Sequence, residues 1–181
     1  MNIVTSLEVF KKLNSEKKAL VCLCCSWKIA EILKKKEYYI SSKLIKEAVK
    51  ISYNCIDINL PLFNEVYDFI FPIMNCETFE FINCDLNLIK GLHSSLYSLL
   101  YVSWCIEAFQ RKKYPEIECH YDSMLLEVGE EYAIDCLNDF MAFSEYTGYS
   151  ECEKFIDQII FNYSSNNPDD ILNKMIVKNF N

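Results

Sequence analysis

Three glycines and four prolines are all the backbone punctuation in 181 residues. β-Sandwiches and barrels use these residue types at their many tight turns, so the shortage favours long helices with few connections. An apolar fraction of 51%, with twelve Phe, twelve Tyr and two Trp, fills one buried core, and the chain is short for two. The expected fold is all-α, a single domain over 1–181 built as a bundle of about seven or eight helices around a long central helix at about 86–113.

Hydrophobic periodicity places the elements. Thr5 and Ser6 suit the cap of a short helix to about Leu13, and Ser15 the cap of a longer one to Lys36. In the latter, Leu20, Leu23, Trp27, Ala30 and either Ile29 or Leu33 form a buried stripe, and Lys34, Lys35 and Lys36 complement the negative end of the helix dipole. A third helix is expected from Ser41 or Ser42 to Ile56, with Leu44, Ile45, Ala48, Val49 and Ser52 facing inward. A fourth spans 62–71 and stops at Pro72, which has no N–H to donate. The stretch 73–84 suits a short strand or a packed loop.

Asp85 suits the cap of the longest helix, which runs to Lys113 and is apolar over most of its circumference, as a helix surrounded by others would be. A helix over about 130–145 follows. Ser150 with Glu153 has capping-box spacing for one over 151–163. Pro168, Asp169 and Asp170 start a last, loosely packed helix within 165–181.

Of ten cysteines, Cys22, Cys24, Cys25, Cys55, Cys105 and Cys136 fall in apolar helical stretches, where thiols act as small hydrophobes. The first ten residues lack a basic leader and an apolar run, so a reducing cytoplasm is expected. No apolar stretch reaches the roughly 20 residues of a spanning helix, and no membrane contact is expected. Cys22, Cys24 and Cys25, even with Cys119 and His120, lack the turn-borne knuckles of a zinc site, and no thiol is marked as a nucleophile. Gly91, Gly129 and Gly148 are too far apart for a phosphate-cradling loop. No metal, cofactor or catalytic residue is assigned. A net charge of −8 disfavours nucleic acid as a partner.

Charge is distributed unevenly. Residues 1–50 carry eleven Lys and five Glu, whereas 114–157 carry twelve carboxylates against Lys154 alone, a balance of +6 against −11. On the helix from Glu130, residues Glu131, Asp135 and Asp139, with Glu145 as a further candidate, align at three- to four-residue steps while Ala133, Leu137, Phe140 and Met141 take the opposite side. Like charges at this spacing destabilise a helix by roughly 0.2–0.5 kcal/mol per pair, so the stripe is not arranged for stability. Glu116, Glu118, Asp122, Glu127 and Glu130 extend it, and Tyr132 and Tyr146 are interspersed, a residue type that anchors protein interfaces. These ten acids and tyrosines, Glu145 apart, are the candidate partner-binding set. A solvated acidic face is the plain alternative. Glu127, Glu130 and Glu131 could also serve a carboxylate-based, metal-dependent enzyme, although no partnering His or second acidic motif accompanies them. A helical adaptor reading would instead use Lys34, Lys35 and Lys36 to hold an acidic partner.

An early helix bearing Cys22, Leu23 and Trp27, a long helix with Tyr101-Val102-Ser103-Trp104, an acidic helix and a final amphipathic pair together resemble an all-α family of immunity proteins from bacterial polymorphic toxin systems, immunity protein family six. The likeness covers roughly 15–163. It implies a non-catalytic, stoichiometric inhibitor that binds a cognate toxin domain, often a nuclease, and protects its producer. The partner would be basic, meeting the acidic stripe. Nothing in the sequence indicates an oligomeric state.

Overall fold

The computed structural model describes residues 3–57, 86–113, 127–147, 150–164 and 174. The described residues form six helices: α1 (Ile3–Lys11), α2 (Ser15–Lys35), α3 (Tyr39–Asp57), α4 (Leu86–Lys113), α5 (Glu130–Thr147) and α6 (Ser150–Ser164). They make an all-α, single-domain bundle. The helix expected at 62–71, the stretch 73–84, Asp85 as a cap and the last helix near 168–178 lie outside the described residues, as do the side chains of the capping-box pair Ser150 and Glu153.

At 28 residues α4 is the longest helix, but α2 packs on the most neighbours, touching α3, α4, α5 and α6. Its sequence explains why. Val21 to Trp27 are seven consecutive buried residues, so apolar or small side chains face every direction for two turns. The expected stripe lies within this core: Leu23, Trp27, Ala30, Ile29 and Leu33 are all buried, while Leu20 is half-buried. Trp27 is one of the largest fully buried side chains, with the Lys46 ammonium from α3 4.7 Å from its ring centroid. Where α4 meets α2 and α5, Gly91 leaves room for the side chains of Phe143 and Ile29. A Cβ there would stand 2.9 Å from Phe143 Cδ2 and 3.3 Å from Ile29 Cγ2.

The helix starts differ from the sequence expectation for one recurring reason, that hydroxyls expected to cap are used between helices. Asn14 is the cap of α2, its side chain accepting from the Lys17 amide at 2.9 Å. Ser15 is thereby free to reach Glu130 on α5. Ser6 lies inside α1 and donates to Asp157 on α6. Ser42 lies inside α3 and donates to the Ala30 carbonyl of α2 at 2.7 Å.

The α2–α3 connection is a Schellman turn. Glu37 N–H donates to the Lys34 carbonyl (3.1 Å), Tyr38 N–H to the Leu33 carbonyl (3.0 Å), and Glu37 takes φ 69°. That left-handed position normally holds glycine, because a Cβ there crowds the following carbonyl. Glu37→Gly is expected to stabilise the fold by about 0.5–1 kcal/mol, the relief of strain exceeding the added chain entropy. The shift of the urea midpoint checks it, and an unchanged or lower midpoint would count against the strain.

Candidate protein-docking face

The acids of α5 divide into two groups. With 3.6 residues per turn, each four-residue step advances about 40° around the helix, so a run at i, i+4, i+8 spirals rather than holding one face. Glu131 and Asp135 are exposed, as is Glu127 just before the helix. Asp139 has rotated towards α4, where its carboxylate accepts from Lys90 Nζ at 2.7 Å and lies 3.9 Å from His93 Nδ1, with its side chain only 14% exposed. Glu130 faces the other way. It accepts from Ser15 Oγ (3.0 Å), the Tyr101 hydroxyl (3.0 Å) and Lys18 Nζ (2.5 Å), tying α2, α4 and α5 together. Glu130 and Asp139 therefore hold the bundle, while Glu127, Glu131 and Asp135 face solvent.

Tyr132 lies among the exposed acids. Burial and then the charges of Glu127, Glu131 and Asp135, with Tyr97 beside them, push its hydroxyl above the ordinary phenol range, so the proton stays on and can be donated to a partner. Its ring meets Tyr97 of α4 edge-on at 5.5 Å, and Tyr97 meets His93 at 6.3 Å. A ladder of three rings thus crosses the α4–α5 seam beside the carboxylates. His93 and Tyr97 did not emerge from the sequence as site residues. Their four-residue spacing on a helix was the available signal, but nothing in it showed which face of α4 would adjoin α5. Glu116, Glu118 and Asp122 lie outside the described residues, and so do the side chains of Glu145 and Tyr146.

Glu130 makes a separate prediction about acid. Burial alone would raise its carboxyl, but the hydrogen bonds from Lys18, Ser15 and Tyr101 together outweigh this and hold it below the ordinary carboxylate range. A depressed carboxyl adds stability above the unfolded value of about 4.3 and loses it as pH falls through the folded value. Glu130→Gln is thus expected to be less stable than the natural chain at neutral pH, with the gap closing below about pH 4. Urea midpoints on both sides of that range check it, and a gap independent of pH would contradict the role given to the Glu130 charge.

The thiols are placed for packing. Cys22, Cys24, Cys25 and Cys136 are buried, and Ser94 Oγ donates to the Cys136 carbonyl at 2.8 Å. Burial raises the Cys22 thiol well above its ordinary value and Cys105 to about 12, whereas at Cys136 burial is outweighed by hydrogen bonds with Cys22, Cys25 and Ser94, which pull that thiol down. Among the described residues, no group of three or more His, Cys, Asp or Glu side chains is placed to hold a metal ion. Nor is any helix among them long and apolar enough to cross a membrane. No family model, curated protein or solved structure matches the chain.

Proposed function

We propose that this chain is an immunity protein of a bacterial polymorphic toxin system, acting in the cytoplasm by binding and neutralising a cognate, basic toxin domain without catalysis. The observation that carries the reading is the exposed trio Glu127, Glu131 and Asp135 around the Tyr132–Tyr97 pair. Exposed surface carboxylates raise the encounter rate with a basic cleft, and aromatic rings at the centre of the patch slow dissociation. Glu130 and Asp139 contribute by fixing α5 against its neighbours. A fuller bundle of seven or eight helices belongs to the same reading, with α2 rather than the longer α4 at its centre.

The direct test is genetic and biochemical together. A toxin domain encoded beside this gene is expressed in a bacterial host with and without the chain. Restored growth, with a one-to-one complex on size exclusion, is the expected result. Undiminished toxicity with no complex rejects the reading.

A further inference from the structure

Three large hydrophobic side chains are strongly exposed among the described residues, and two of them are neighbours: Tyr39 (59%) and Ile40 (66%). They open α3 just after the turn from α2, near exposed Lys34, Lys35, Lys36 and Lys43 in sequence. We propose that this corner is a peripheral docking site for an anionic lipid surface, with Tyr39 and Ile40 entering the headgroup boundary and the lysines facing the lipid charges.

Three observations favour that occupant. Residues 34–43 hold four Lys and one Glu, a local balance of +3 in a chain of net −8. The helix dipole gives Lys34 to Lys36 a local use, but it gives none to an exposed isoleucine. Isoleucine gains nothing from a phosphate backbone in water, whereas beside lysines and a tyrosine it matches the chemistry of the lipid interface, where apolar side chains sink and cations stay at the headgroups. The turn is also held in shape before any contact, because Glu37 closes it in a left-handed conformation with Tyr38 anchored on the core.

The start of the acidic face lies far from this corner. Glu130 packs on Ser15 and Lys18 at the opposite end of α2, and that 21-residue helix is about 30 Å long, several Debye lengths at physiological salt. Glu31, Glu37 and Glu47 are nearer, with Glu31 3.9 Å from Lys28 and Glu47 3.9 Å from Lys43. Docking by the corner leaves the α5 acids free to meet a protein. The expectation of no membrane contact came from the lack of a spanning segment, and a corner contact needs none. This proposal is independent of the toxin reading, since lipid binding is measured without a toxin.

The test is co-sedimentation of the full chain with phosphatidylcholine vesicles, alone and with a rising share of phosphatidylglycerol. Binding is expected only with the anionic lipid and weakens with salt. Replacing Lys34, Lys35 and Lys36 with Gln is expected to lower partitioning about 100-fold, each juxtamembrane lysine being worth about five-fold. The exposed double variant Tyr39→Ser/Ile40→Ser is expected to lower it at least about ten-fold. Circular dichroism checks that both variants remain folded. No binding, equal binding to neutral vesicles, or binding indifferent to Tyr39 and Ile40 overturns the proposal. Binding to duplex DNA or an acidic peptide that loses the lysines' help but survives the Tyr39/Ile40 change would assign the corner to polyanions instead, and also overturns it.

Discussion

Trp27→Ala is expected to destabilise the protein by about 3–5 kcal/mol, the range for removing a large aromatic from a packed core. Trp27 is 1% exposed on the helix that touches four others, so the space it leaves is walled by several elements and closes poorly. The change also removes the ring beneath Lys46, whose ammonium burial already pulls below its ordinary pKa. Total stability for a domain of this size is of order 5–15 kcal/mol, so the variant stands near the edge of folding. Urea unfolding followed by circular dichroism measures it, with an unchanged slope and a lower midpoint. Trp104, which is half-buried, serves as the control, and Trp104→Ala is expected to cost less. A loss below about 1 kcal/mol at Trp27 would mean that α2 does not form the centre of the core.

The positions of Trp27 and its neighbours were legible in the sequence, because period and burial are linked directly. Leu23, Ile29, Ala30 and Leu33 on α2, and Ala133, Leu137 and Phe140 on α5, are buried as their spacing predicts. What the sequence did not disclose was partnership across helices. Ser6, Ser15 and Ser42 have the chemistry of helix caps, yet each bonds to another helix, and only the packing of α6, α5 and α2 reveals this. Glu37 in a left-handed turn is equally hidden, since glutamate carries no signal for that conformation.

The acidic helix shows the same division. Glu131, Asp135 and Asp139 are equivalent in spacing, yet Lys90 claims the third and leaves the first two in solvent. Glu130, adjacent in sequence to Glu131, is turned to Lys18. Four-residue spacing reads as a stripe on paper and as a spiral on a helix, and the arc facing solvent depends on where α4 and α2 lie.

Charge reversal at Glu127, Glu131 and Asp135 removes the three exposed acids around Tyr132 without touching the internal ties of Glu130 and Asp139. Stability is expected to fall by no more than about 1 kcal/mol, mostly from Glu131, whose charge favours the first turn of α5. Association with a basic partner is expected to slow about 10–100-fold at low salt, because electrostatic steering acts on the encounter. Reversing Asp139 instead breaks its pair with Lys90 and is read in stability rather than in association.

The most direct measurement is the association rate constant of the natural chain and the triple variant with the basic toxin domain that the proposed function requires, followed by stopped flow across a range of ionic strength. A steep fall with salt is expected for the natural chain, and a slower, nearly salt-independent rate for the variant that meets it at high salt. Equal rates with equal salt dependence for the two proteins would contradict steering by the three exposed acids.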